Sequence, residues 1–422
     1  MEKALYWFRN DLRLHDQAVL AKLAATTNQL HGLYILDQSL FEPTPWGFPV
    51  MGNHRYQFLR ESLYALRLQL NRSKIGLWLE IGDIANSLLE HCLKHQIRHV
   101  FAQSLPAYNE KKCEQHLLQL LAAHGITLYL HESVGLFQRS QLPDQPSLWP
   151  EIFTQFRTQL AEKITPISPN HAKIQFNGIS SQQGDLPTVK VETDERTGFL
   201  FKGGELAGLA RLQAYLWDTD AICHYKKTRN GLMGSYFSSR LSPWLANGSL
   251  SVRQVYASIQ QYEAERTKNE STYWLYFELL WREFFIWMAE KHGKNLFLAG
   301  GIRKRKSLNS FNKSQFEQWR LGQCGQDFID ANMRELLHSG WISNRGRQNV
   351  ASFLIHQLQL DWRAGAAWFE HQLIDYDPCS NYGNWNYLAG IGNDPREKRV
   401  FNPEKQADQY DPNGLYRRLW LS

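Results

Sequence analysis

The sequence predicts an α/β N-terminal domain on a doubly wound, Rossmann-like parallel sheet, followed by an all-α C-terminal domain. Three observations carry this. Strand-length apolar runs alternate with amphipathic segments over residues 4–133, a Pro-rich polar stretch follows over 134–204, and 3.6-residue periodicity persists from Glu205 onward. The expected organisation is therefore 1–133 as the α/β domain, 134–204 as a connector and 205–422 as the helical domain.

The strand segments are Ala4–Phe8, Gly32–Asp37, Ile75–Gly82, His99 or Val100 to Gln103, and Ile126–His131, with helices such as Arg55–Leu70 and Ile84–His95 between them. No G-x-G-x-x-G follows the first strand, so a dinucleotide fingerprint is absent and any ligand here is held some other way. Pro143, Pro146, Pro150, Pro166, Pro169 and Pro187, set among Ser, Gln, Asn and Gly, mark the connector. Beyond it, Leu206–Leu216, Ser251–Tyr262, Tyr273–His292, Gln315–Leu321, Phe328–Leu337, Asn344–Gln359 and Ala364–Leu373 all carry helical apolar faces.

The 422-residue chain is long enough for two or three cores, and its 21% charged and 43% hydrophobic content is that of a globular protein. No apolar run reaches the ~18 residues of a membrane span. Arg9, Asp11 and Arg13 stand where a signal peptide would be apolar, which predicts an intracellular, cytoplasmic protein. Five scattered cysteines without a C-x-x-C pair argue against a disulfide framework or a zinc site, and no metal is expected. Residues 1–200 hold 19 Lys/Arg against 19 Asp/Glu, so the whole formal charge of +6 lies in the second half, as do eleven of the 15 tryptophans. A modestly basic, Trp-rich helical half suits a polyanion, and equally an ordinary core that uses large side chains for area.

Four stretches of that half carry chemistry. Ser238-Ser239-Arg240-Leu241-Ser242-Pro243 offers hydroxyls, a cation and free N–H groups at a helix start, the set a pyrophosphate needs; a Ser-rich cap with a surface arginine has the same composition. Trp274, Glu278, Trp281 and Arg282 share one helix face, suited either to an aromatic heterocycle or to an ion pair over core rings. Ser343 to Asn349 packs two guanidiniums and several amides ahead of an apolar run, with Asn344, Arg347 and Gln348 on one face, as in a buried polar cluster. Asp375 to Tyr387, running on to Arg396, reads as a loop from its Gly, Asn and Pro content, and its amides and carboxylates without histidine suit a polar ring system better than a metal.

With the opening Trp7-Phe8-Arg9-Asn10-Asp11-Leu12-Arg13 and with Thr228-Arg229-Asn230-Gly231, these strings resemble the photolyase/cryptochrome family, and within it the DASH cryptochromes, nearly end to end. The resemblance implies an antenna domain, a linker and a helical domain holding FAD folded back in a U shape. It implies that Tyr225, Arg229, Ser238, Ser239, Arg240, Leu241 and Ser242 embrace the phosphates and ribityl chain. Trp274, Glu278, Arg282, Asn344, Arg347, Asp375 and Asp377 then surround the rings, Arg347 and Asp375 as an ion pair, with Asn381 facing flavin N5. In the family reaction, excited reduced flavin lends an electron to a cyclobutane pyrimidine dimer, which splits and returns it. Photolyases extrude the target base, at least cost where it is damaged or already single-stranded. Glu278 and Trp281 match residues that hydrogen-bond and stack on the flipped dimer, and Arg345 resembles a phosphate contact beside it.

Tyr387 and Gln348 stand where double-strand photolyases carry tryptophan and methionine. Both make the pocket more polar and offer less stacking area, which favours dimers in single-stranded DNA, with RNA as a further candidate partner. The alternative is a blue-light photoreceptor that binds nucleic acid and signals without repair. The chain ends about ten residues after Asp411-Pro412-Asn413-Gly414, short of the tail through which many signalling relatives act, which leans toward the enzyme. A monomer is expected. Asn109 and Glu110, with Lys294 or its neighbours opposite, match positions where many relatives grip a folate antenna, 5,10-methenyltetrahydrofolate; this N-E-K-K helix start also reads as capping plus solvated charge.

Trp385 and Trp362 match the first two members of the family's electron relay, whereas Asn309 stands at the distal position, with Trp319 or a nearby tyrosine as its replacement. Light-driven flavin reduction should therefore be slow. Asn309→Trp is expected to speed it, followed by flavin absorbance under constant illumination; an unchanged rate would remove the missing ring as the cause.

Overall fold

The computed structural model describes residues 2–132, 134–192, 194–305, 310–396 and 399–422; Asn309 lies outside them. Strands β1 (Lys3–Trp7), β2 (Gln29–Asp37), β3 (Gly76–Gly82), β4 (His99–Gln103) and β5 (Thr127–His131) form one parallel sheet in the order β3-β2-β1-β4-β5. Helices α1 (Ala18–Thr26), α2 (Asn53–Arg72), α3 (Ile84–His95) and α4 (Tyr108–Ala123) cover its faces. Both faces are buried, which is why β1 is almost continuously apolar: Ala4 and Tyr6 pack with Leu63 and Leu66, Leu5 and Trp7 with Leu88 and Leu117. The switch in strand order lies between β1 and β4, so the loops after them, Phe8 to His15 and Ser104 to Ala107, open toward the second domain.

The segment 134–204 is more than a tether. Phe153 and Phe156, from a short turn α5 (Phe153–Gln155) and its continuation, are buried in the helical core. Further on, Leu30 N–H donates to Ile179 O (3.3 Å) and Leu79 N–H to Gln183 O (3.0 Å), so the chain closes over the β2–β3 side of the sheet.

The helical domain comprises α6 (Glu205–Gln213), α7 (Tyr225–Thr228), α8 (Ser242–Ala246), α9 (Val252–Glu265), α10 (Glu270–His292), α11 (Lys313–Arg320), α12 (Asp327–Ser339), α13 (Asn344–Ser352), α14 (Trp362–Gln372), α15 (Pro378–Leu388), α16 (Pro403–Tyr410) and α17 (Leu415–Leu421). The 23-residue α10 is its axis, started by Asn269, whose side chain accepts from Ser271 N–H (2.7 Å) and Thr272 N–H (3.1 Å). Its Glu283 is fully buried and accepts from Leu136 N–H (2.8 Å), Phe137 N–H (3.3 Å) and Trp287 Nε1 (3.0 Å), tying the start of the connector to the helix.

The two domains meet through backbone. Glu205 accepts from Leu14 N–H (2.7 Å) and from His15 N–H (3.1 Å), and its Oε1 lies 2.6 Å from His15 Nδ1. Ser251 N–H donates to His15 Nε2 (3.0 Å), and Arg13 donates to Gly248 O (2.9 Å). Gly248, at φ +71°, is required here: a Cβ would lie 1.8 Å from Asn10 O.

Two sequence expectations are corrected. The stretch read as a loop from Asp375 is helical from Pro378 to Leu388, because Asp377 caps it, accepting from Cys379 N–H (3.3 Å) and Ser380 N–H (3.0 Å), with Pro378 at the first position. Its Gly383 permits contact with α10, since a Cβ would come within 2.2 Å of the Phe285 ring. The helices expected over Leu206–Leu216 and Asn344–Gln359 end sooner, at Gln213 and Ser352, and continue as wider turns over Ala214–Asp218 and Phe353–Gln357.

Away from the domain contact, His31 is enclosed by His91 and His95, with ring centroids 5.6 Å and 4.9 Å away, and by Trp78. Burial, with the neighbouring His91, His95 and Lys3, pushes its pKa down to about 4. Between that value and the ordinary ~6.5 the unfolded chain holds the proton that the fold excludes. This contribution to stability is thus present above ~6.5 and lost as pH falls to about 4, with a slope of at most about 1.4 kcal/mol per pH unit. Thermal denaturation across that window should decline less in His31→Gln than in the native protein.

Candidate functional site

A cavity of about 300 Å³ opens into the helical domain between α8, α10, α13 and α15. Tyr225, Arg229 and the whole run Ser238 to Ser242 line one side. Glu278 and Arg282 come from α10, Asn344, Arg347 and Gln348 from α13, and Asp375, Asp377, Asn381 and Trp385 from α15 and its approach. The structure thus gathers residues from four sequence-distant stretches around one cavity.

The electrostatics of this cavity are those of a ligand site. Arg347 Nη2 donates to Asp375 Oδ2 (2.7 Å), as expected of that pair, and Ser242 Oγ donates to the same oxygen (2.6 Å). Asp375 Oδ1 is buried with no partner, an acceptor left for a ligand N–H. Asn381 is buried, and its Nδ2 donates to Ala366 O on α14 (3.0 Å), so its carbonyl oxygen is the group free for a ligand. Burial raises the pKa of Glu278, opposed by its ion pair with Arg229.

The Ser238 stretch supplies positive charge. Arg240 is 4% exposed, lies over the Trp341 and Phe237 rings, donates to Gly234 O (2.8 Å) and leaves Nε without a partner. Burial lowers its pKa to about 10. Arg211, also buried, is spent on the loop carbonyls of Ser235 (2.6 Å), Ser238 (3.1 Å) and Ser239 (2.9 Å). Neither arginine forms an ion pair among the described residues, so the loop presents uncompensated charge to the cavity, as a pyrophosphate requires.

Other expected residues lie beside the cavity. Trp274 carries Lys226 and Arg229 over its ring, at 4.4 Å and 5.5 Å. Trp281 stands edge-on to Tyr387, with centroids 5.9 Å apart. Tyr387 OH accepts from Arg399 Nη2 (2.8 Å). Arg345 donates to Gln348 Oε1 (2.9 Å) and Asn230 Oδ1 (3.1 Å), lies over Tyr410 and is paired with no carboxylate among the described residues. Burial lowers its pKa, as do the charges of Arg229 and Arg399, so three guanidiniums crowd this rim.

Trp385 lines the cavity and meets Trp319 at 6.4 Å, while Trp362 meets Tyr382 at 6.0 Å. Asn109 is exposed, and Glu110 turns into a second cavity of about 30 Å³ between the domains, shared with Arg13, Arg282 and Asp377. That space holds one or two waters and no pteridine, so a folate would have to sit outside it.

Sequence reading missed Asn384, Ser380, Tyr376, Leu275 and Leu279 in the cavity lining. The first three were inside a stretch already singled out, and Leu275 and Leu279 share the Glu278–Arg282 face by helical spacing. Arg211 carried no signal, since its carbonyl partners belong to an irregular loop.

Residues 4–173 match the family model described as DNA photolyase, and residues 274–422 that of the FAD binding domain of DNA photolyase. Cryptochrome DASH of Synechocystis sp. is 41% identical over 99% of this chain and 87% of its own length, and that of Xenopus laevis 42% over 98% and 81%. The crystal structure of the Synechocystis sp. cryptochrome superposes with a TM-score of 0.95 over 100% of this chain and 89% of that one. A bacterial class III photolyase from Agrobacterium tumefaciens, 26% identical, reaches 0.83 over 100% of this chain and 86% of that one. A fold and cavity of this kind define a flavoprotein of the photolyase/cryptochrome class, and the chain belongs to its DASH cryptochrome family. FAD is its cofactor, and a folate antenna is consistent with the family.

The unpartnered Asp375 oxygen and the uncompensated Arg240 fit FAD. Arg240→Met, which keeps the volume and removes the charge, is expected to weaken FAD retention about 10- to 100-fold, from ~1.5–3 kcal/mol per charged hydrogen bond. Equal retention in equilibrium dialysis would reduce Arg240 to a packing role.

Proposed function

We propose that this protein repairs cyclobutane pyrimidine dimers under blue light, with a preference for single-stranded DNA, as an intracellular deoxyribodipyrimidine photo-lyase. The observation that carries the reading is that Glu278 and Arg229 line the cavity, that Arg229 and Arg399 both act on Arg345, and that Trp281, one turn along from Glu278, meets Tyr387, which Arg399 holds: an acceptor and aromatic rings set among three guanidiniums. A bound, reduced FAD would supply, on excitation, an electron that opens the dimer and then returns to the flavin. The residues of this chain do the rest: the guanidiniums hold the phosphates, Trp281 and Tyr387 offer aromatic surface to a displaced pyrimidine dimer, and Glu278 accepts from its N–H groups. Asn344 and Gln348 add polar contacts and Asn381 holds the flavin edge.

The single-strand preference follows from what the pocket lacks. Gln348 is engaged by Arg345 and Tyr387 by Arg399, whose guanidinium lies 4.8 Å from the ring centroid, so little apolar area remains to offset opening a duplex. Reduced, illuminated protein is expected to remove dimers from single-stranded oligonucleotides and to leave duplex dimers in place, followed by loss of the dimer on chromatography. Failure on both, with FAD bound and reduced, would favour the photoreceptor that binds nucleic acid without repair.

A further inference from the structure

The connector contributes to the rim from behind. Its Phe153 ring lies parallel to the Trp281 indole, with centroids 3.7 Å apart and planes 8° apart. Phe277 and Phe284 meet Phe153 edge-on at 5.1 Å and 5.7 Å, so the ring is held from three sides and is 5% exposed. On either side of it, Trp149 packs edge-on against Trp287 (5.2 Å) and Arg157 Nη1 donates to Tyr273 OH (3.0 Å), so the strand of chain tracks α10 for much of its length.

The same segment reaches the other wall. Glu151 pairs with Lys291 (2.8 Å) and His292 (3.0 Å), and Asn393 Nδ2 donates to Glu151 O (2.8 Å) and Oε2 (3.2 Å). Next to Asn393, Asp394 pairs with Arg399, which holds the Tyr387 hydroxyl. Two residues apart, Glu151 and Phe153 are therefore linked to Tyr387 and to Trp281, whose rings meet edge-on, 5.9 Å apart.

We infer that Phe153 is a positioning residue for nucleobase recognition: by stacking on one face of Trp281 it fixes the indole plane and leaves the opposite face for a displaced pyrimidine, while Glu151 steadies the Tyr387 side. The inference rests on the repair reading for its ligand and on the geometry alone for the orientation of Trp281. Phe284, Phe285 and Tyr387 also touch the Trp281 ring, tilted or edge-on at 5.8 Å, 5.7 Å and 5.9 Å, but Phe153 is its one coplanar partner among the described residues, and a parallel aromatic partner selects among the rotamers of an indole.

The test uses the FAD-loaded full chain with Phe153→Leu and the conservative Phe153→Tyr. Affinity is measured for a single-stranded oligonucleotide with one thymine dimer and for its undamaged twin. Phe153→Leu should lose about five- to tenfold of the preference for the damaged strand, the size of one aromatic pair, with undamaged binding unchanged and Phe153→Tyr near native. Full preference in Phe153→Leu overturns the inference. Should the native protein show no preference, the repair reading fails instead, and fluorine NMR of Trp281 labelled with fluorotryptophan decides: a shifted or broadened resonance in Phe153→Leu but not in Phe153→Tyr supports positioning, and an unchanged one refutes it.

Discussion

The helical half is organised around charge that has been buried without a protein counter-ion. Arg211 and Arg240 sit on an aromatic floor, bonded to loop carbonyls and to no carboxylate among the described residues. The acid acting on Arg240, Glu335, is itself buried, has its pKa raised to about 7 by burial, accepts from the Tyr416 hydroxyl (2.5 Å) and makes no ion pair with Arg240. Desolvated cations of this kind are costly in an empty protein and favourable once an anionic ligand arrives, which makes the cavity a place where folding and cofactor retention are coupled.

Around that charge, each element contributes one surface. α10 presents Glu278 and Arg282 to the ligand on one face and Glu283 to the connector on the other. α15 is held against α10 by the small volume of Gly383 and begins on a carboxylate cap that also lines the cavity. Structure and chemistry share residues here, so a substitution such as Asp377→Ala would disturb a helix start and a ligand wall at once.

Much of this was legible in the sequence, and the exceptions have physical causes. Strand and helix order in the α/β half follows from period and length, because a parallel sheet covered on both faces writes near-continuous apolar runs such as Ala4 to Phe8. On α10 the cavity residues Glu278 and Arg282 were legible because helical spacing places them on one face, with Trp274 and Trp281 beside them. The helix from Pro378 was hidden by its own composition: three asparagines and a glycine have low helical preference, and tertiary contacts with Phe285 and the Asp377 cap override it. The stacking of Phe153 on Trp281 was not legible at all, since a ring in a Pro-rich connector gives no hint of the partner it finds on a helix more than a hundred residues away.

The contact between Glu205, His15, Ser251 and the Asn10–Gly248 crossing has a consequence for light capture. Because backbone N–H groups on both sides donate to the side chains of Glu205 and His15, beside a crossing with no room for a Cβ, it sets the mutual tilt of the two halves. Any pigment carried by the sheet half would transfer excitation to the ring in the helical half at a rate governed by dipole alignment, and that alignment would be set by this contact.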